Sequence, residues 1–132
     1  MKPSVYKKLA PPTIRRLVDE GTLKFVEQQG SPDLRETWCL FSSPVFMLRI
    51  IDLGSIVMCQ IKSPAEEDWH YLGYLLQFLR KPVPDLDPES SARALQTLLP
   101  EITSLMADSA RRAKFARFES DLMDQIDRSH ED

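Results

Sequence analysis

The stretch Val45-Phe46-Met47-Leu48-Arg49-Ile50-Ile51, followed by Asp52-Leu53-Gly54-Ser55 and then Ile56-Val57-Met58-Cys59-Gln60-Ile61-Lys62, decides the fold. Two runs rich in β-branched and apolar residues flank a short turn containing Gly54, the pattern of a β-hairpin. With Leu53-Gly54 as a two-residue loop, Ile50 faces Val57, Leu48 faces Cys59 and Phe46 faces Ile61. Every pair on that face is apolar, and a slip of one residue would spoil all of them. The other face sets Arg49 against Met58 and Met47 against Gln60, and is only partly apolar. The hairpin therefore predicts half of an antiparallel sheet with one greasy side.

Upstream, two further strands are expected. Leu23 and Phe25 alternate with Lys24 within Thr22–Gln28, and Glu36–Ser42 places Trp38 and Leu40 on one face and Thr37, Cys39 and Phe41 on the other. Gly30-Ser31-Pro32-Asp33 and Ser43-Pro44 supply the turns. Strands so closely linked leave no room for crossovers, so the sheet is an antiparallel meander. Before it, Ile14, Leu17 and Val18 mark a short helix over Thr13–Glu20, with Gly21 where a left-handed cap is needed.

Downstream, Ser63-Pro64-Ala65-Glu66 has the form of a capping box with proline at the first helical position. It predicts a helix over Pro64–Arg80 with Trp69, Leu72, Leu76 and Leu79 as core stripe, Leu75 at the stripe's edge, and Glu66, Glu67 and Asp68 favouring the helix dipole. Pro82-Val83-Pro84-Asp85-Leu86 reads as a stiff linker. Asp87-Pro88 opens the next helix, Pro88–Met106, whose stripe of Ala92, Leu95, Leu98, Leu99, Ile102, Leu105 and Met106 continues in phase through Pro100, so a kink is expected there. At about 100° per residue, Phe115, Phe118, Leu122 and Ile126 point to the opposite side from that stripe. Either the chain bends near Asp108-Ser109 and the last helix folds back onto the core, or the second stripe meets a partner or a second copy.

The predicted fold is α+β: a four-stranded antiparallel β-meander with helices packed on one face and a long kinked C-terminal helix. The core expected is Phe46, Leu48, Ile50, Val57, Cys59, Ile61, Trp69, Leu72, Leu76, Leu79, Leu95, Leu98, Ile102 and Leu105. At 132 residues the chain suits one domain, residues 1–132, with a basic lead-in over 1–12 and a helical extension with an acidic tail over 107–132. Ten prolines against four glycines fit helices punctuated by proline, and the formal charge of −3 selects no partner class. No secretory signal is expected from the start, which has no apolar h-region, and no run approaches the roughly 20 apolar residues that span a bilayer. Cys39 and Cys59 are expected to be free thiols, and the reading is of a cytoplasmic protein.

The chemistry-bearing residues carry no known motif. His70 has no second histidine four residues on, and Cys39 and Cys59 have no partners that complete a metal set. Asp85, Asp87 and Glu89 lack the rest of a calcium loop. There is no glycine-rich phosphate loop, and Ser42 and Ser43 have no nucleophile elbow. No catalytic residue, cofactor or metal is assigned. An acidic pI of about 5.4 makes nucleic acid a weak alternative. An enzyme built on an unrecognised site, with His70 its first candidate, is the other alternative.

With the strands placed, the segment from Thr13 to Met106 resembles a group of small uncharacterised bacterial proteins. The pattern comprises a helix ending at a glycine, a meander containing Leu48-Arg49-Ile50-Ile51-Asp52-x-Gly54, a helix like Trp69-x-x-Leu72 with Leu76-x-Phe78-Leu79, and a long C-terminal helix. Between the aspartate and glycine the group commonly has arginine, where this chain has Leu53. The resemblance implies an α+β fold and a bacterial cytosolic origin. In scale and composition such proteins are similar to immunity proteins that neutralise bacterial toxins. The expected function is accordingly non-enzymatic protein binding, of an immunity-like kind. The expected partner-binding residues are Met47, Arg49, Met58 and Gln60 on the open sheet face and Phe115, Phe118 and Leu122 on the last helix, the latter set also able to form a homodimer.

Overall fold

A computed structural model describes residues 9–30, 37–53, 57–79, 81 and 88–130. Its order is α1 (Pro12–Asp19), β1 (Lys24–Gln29), β2 (Thr37–Ser42), β3 (Met47–Asp52), β4 (Val57–Lys62), β5 (His70–Tyr71), α2 (Leu72–Phe78), α3 (Pro88–Thr97), α4 (Leu99–Ala107) and α5 (Ser109–His130). The fold is α+β. Its antiparallel sheet runs β1-β2-β3-β4-β5, so the expected meander is present with a fifth, two-residue strand added at the edge.

The short-range chemistry of α1 is as the sequence predicts. Gly21 has φ 82°, its N–H donates to the Val18 carbonyl at 3.0 Å, and Thr22 N–H donates to Leu17 at 2.9 Å. This pair of bonds closes a helix on a left-handed glycine. At the other end, Thr13 donates through its N–H and hydroxyl to the two carboxylate oxygens of Glu89, at 2.9 and 2.8 Å. That contact ties α1 to the first turn of α3. Leu9 and Ala10, within the expected lead-in, are buried in the core.

The central hairpin keeps its predicted faces and changes its register. Ile50 opposes Cys59 and Leu48 opposes Ile61, two residues away from the expected pairs. Because side chains alternate with period two, a shift of two leaves each residue on its own face. Asp52 pairs with Val57, so the connection is longer than Leu53-Gly54, and Gly54 itself lies outside the described residues. The β2–β3 link is held by Ser43, whose hydroxyl accepts from Val45 and Phe46 N–H at 3.1 and 2.9 Å.

The largest correction falls on Ser63–Trp69. The glutamate half of the capping box forms, Ser63 N–H donating to Glu66 Oε1 at 3.1 Å, while the Ser63 hydroxyl accepts from Ala65 N–H at 3.2 Å and Glu66 N–H donates to the Ser63 carbonyl at 3.0 Å. No helix follows. The segment makes a turn, His70 and Tyr71 pair with Ile61 and Gln60, and α2 begins only at Leu72. Three residues suffice to satisfy the cap, but propagation needs an apolar face, which Pro64 to Asp68 lack. Glu66, Glu67 and Asp68 therefore do not sit on a helix dipole. With the helix starting later, Leu72, Leu75 and Leu76 are its buried residues, Leu79 is partly buried, and Trp69 leaves the core altogether.

Phe46, Leu48, Ile50, Ile61, Leu72, Leu76, Leu95, Ile102 and Leu105 are buried as expected, with Val57, Cys59, Leu79 and Leu98 packed partly against them. The expected kink takes the form of a break at Leu98 (φ −101°, ψ 14°), and Pro100 falls in the first turn of α4, where its missing N–H costs nothing. The chain bends at Asp108, which is extended, and its carboxylate accepts from Ala110 and Arg111 N–H at 2.9 and 3.3 Å. Arg111 donates to the Ser104 hydroxyl and Arg112 to the Met106 carbonyl across the bend. Phe115 is thereby returned to the core at 1% exposure. The linker 82–86 and the basic residues Lys7 and Lys8 of the expected lead-in lie outside the described residues.

Candidate functional site

The register defines the second sheet face. Leu40, Arg49, Gln60 and Tyr71 lie in one row across β2 to β5, with Ser42, Met47 and Lys62 in the row on one side and Trp38, Ile51 and Met58 in the row on the other. Of the residues expected to bind a partner there, Met47, Arg49 and Met58 are half-buried and Gln60 is buried. Arg49 donates to the Gln60 side-chain oxygen through Nε at 3.0 Å and through Nη2 at 2.5 Å. This bidentate grip satisfies the buried amide oxygen and fixes the guanidinium plane.

Trp69 completes this face, and the sequence placed it elsewhere. The Ser63–Trp69 turn carries it onto Arg49, whose Cζ lies 4.5 Å from the ring centroid, while Lys62 Nζ lies 5.2 Å from the same ring. Each cation faces a negative π-surface, an attraction worth ~0.5–2 kcal/mol according to desolvation. Tyr71 follows in the row and packs edge-on to Tyr74 at 5.3 Å. The only signal available beforehand was the neighbouring run of β-compatible residues Trp69-His70-Tyr71, which the capping box overshadowed. Lys24, Arg49 and Lys62 share this face with a single carboxylate among the described strand residues, Glu27. Three cations thus stand against one carboxylate on the described strands of this face, in a chain whose formal charge is −3.

The C-terminal residues sort differently. Phe115 packs against His70 and Phe78, with ring centroids 4.9 and 5.5 Å away, and Phe118 packs on Phe78 at 5.5 Å. Leu122 is half-buried, whereas Met123 and Ile126 are exposed. Phe115 is thus an internal residue, and the stripe turns outward only beyond Leu122.

His70 lies on the core side of β5, opposite Ile61, at 5% exposure. Its Nδ1 is 2.7 Å from Glu119 of α5 and its Nε2 is 3.0 Å from Glu66. Burial pulls its pKa down, but the hydrogen bonds and charges of Glu66 and Glu119 outweigh burial and raise it above the ordinary histidine range. An open cleft of about 700 Å³ adjoins the ring, lined by carboxylates of Glu66, Glu67, Asp68, Glu119, Asp124 and Asp127. Among the described residues no group of histidine, cysteine and carboxylate side chains is arranged to hold a metal ion.

Cys39 and Cys59 are free, and Ile50 stands between them in the sheet, so they are two strands apart, roughly 10 Å and beyond disulfide reach. Burial pushes their thiols up to about 11 and about 12, which keeps both protonated and unreactive at neutral pH. No described helix is long and apolar enough to cross a membrane. No protein-family model, curated protein or solved structure matches the chain.

Proposed function

We propose that this chain is a non-enzymatic binding protein, more narrowly an immunity-like neutraliser of a bacterial toxin, which engages an acidic surface of its partner through the sheet face around Arg49 and Trp69. The observation that carries the reading is the Arg49–Trp69–Lys62 stack. Arginine, tryptophan, tyrosine and methionine are the residues enriched in the centres of protein interfaces, and Arg49, Trp69, Tyr71, Met47 and Met58 meet on one face. The Gln60 contact holds the arginine in place before binding, which lowers the entropy lost on association. His70 supports the same reading from the other side. Both its ring nitrogens are occupied by the chain's own carboxylates, so neither is free to accept a proton from a substrate.

The test is co-expression with the toxin encoded beside this gene, scored by growth and by affinity of the purified pair. Trp69→Ala and Arg49→Glu should each weaken binding by about 2 kcal/mol or more, roughly thirtyfold, and abolish protection. Asp127→Lys, in the acidic cleft, should leave both unchanged. Full protection by the two sheet-face variants would dismiss this face as the binding surface. If no adjacent toxin gene exists and no acidic partner binds, the immunity reading fails.

A further inference from the structure

His70 has a geometry that a neutral imidazole cannot satisfy. A neutral ring has one N–H donor and one bare acceptor nitrogen, and carboxylates only accept. Here both nitrogens point at carboxylate oxygens, at 2.7 and 3.0 Å, in a nearly buried site. Only the doubly protonated ring donates to both. A neutral ring would set a lone pair against a carboxylate with little water to intervene.

The two carboxylates come from separate parts of the fold. Glu66 belongs to the turn before β5, where Ser63 N–H fixes its other oxygen at 3.1 Å. Glu119 belongs to α5, one helical turn beyond Phe115. Glu66 and Glu119 act on the ring directly, and the cleft beside it is lined by Glu67 and Asp68 of the turn and by Asp124 and Asp127 of α5; α2 contributes Phe78 through Phe115 and no charge. His70 is the cationic group among the residues lining this cleft.

We propose that protonated His70 is a two-sided clamp holding the Phe115–Leu122 segment of α5 against the rest of the fold, and that this segment loosens when the ring loses its proton. Removing that proton leaves carboxylates on both sides with nothing between them to bridge. The ring's raised pKa sets the direction: the clamp is fully present below the ordinary histidine range and is lost as pH rises through the raised value. The hinge for the movement is the extended residue Asp108.

The test uses the full chain carrying His130→Gln, which leaves His70 the single histidine of the two in the sequence. Nitrogen NMR of the ring should show both nitrogens protonated at pH 6. Hydrogen-exchange protection of amides 115–122, corrected for intrinsic exchange, should fall several-fold by pH 9, while β3 amides hold. Glu119→Gln separates the clamp from general loosening. Its carboxamide donates to a bare Nδ1 while Nε2–H still serves Glu66, so α5 protection should become independent of pH and remain high. A neutral ring at pH 6, a wild-type profile flat with pH, or a Glu119→Gln profile that falls as wild type does would each overturn the proposal.

Discussion

The two faces of the sheet are stabilised by different means. On the core face, Phe41, Phe46, Ile50 and Ile61 meet the helices in a dry layer. On the second face, Leu40 and Ile51 are buried although no described helix covers them as the core is covered; Arg49, Gln60, Lys62 and Trp69 lie among them, joined by a bidentate hydrogen bond and cation–π contacts. Burial on the first face depends on volume and shape, on the second on particular donor, acceptor and ring. The first tolerates exchange among apolar residues and punishes cavities. The second tolerates cavities better and punishes loss of a partner.

Substitutions can break that contrast in order of size. Phe46→Ala, which empties a fully buried site, should cost about 3–5 kcal/mol in denaturant melts, and a cost below 1 kcal/mol would show that the core face is not tightly packed. Leu75→Ala and Leu76→Ala should each cost about 2–5 kcal/mol, with Leu79→Ala clearly less because Leu79 is only partly buried. Equal costs at Leu75 and Leu79 would favour a helix beginning nearer Pro64. On the second face, Gln60→Ala should cost about 1.5–3 kcal/mol, the range for a hydrogen bond to a charged group, and the double variant with Arg49→Ala should cost less than the two single losses summed, because the Arg49–Gln60 bonds are lost only once. Full additivity would mean that the two side chains act separately. Lys62→Met, which takes one of the two cations off the Trp69 ring, should be the mildest, about 0.5–2 kcal/mol in the melt.

How much of this was legible depends on the range of the deciding interaction. The Gly21 cap, the Ser43-Pro44 link and the bend at Asp108 are settled within a few residues, and each is where the residue pattern places it. The faces of β3 and β4 follow from alternation, but their register depends on the length of the connection, and the alternation is blind to a shift of two. The Ser63-Pro64-Ala65-Glu66 motif forms its local hydrogen bonds without starting a helix. Which structure follows is decided by β4, which offers Ile61 and Gln60 to His70 and Tyr71 as ladder partners. That distant choice moved Trp69 from the expected core to the second face and left Leu75 buried in its stead. The His70 clamp was beyond reach for the same reason: Glu119 lies 49 residues away in the chain.

The irregularity in β1 has a bearing on behaviour at high concentration. Pairing with β2 shifts between Phe25 and Glu27, leaving Val26 outside the ladder and 47% exposed, with charged Lys24 and Glu27 on either side. An outer strand interrupted in this way twists away from flatness and presents a broken row of donors and acceptors to any newcomer. The opposite edge, β5, is two residues long and offers almost no template. The β1 margin thus disfavours strand-by-strand growth into fibrils, and deleting Val26 to restore a regular β1 should make it a better template.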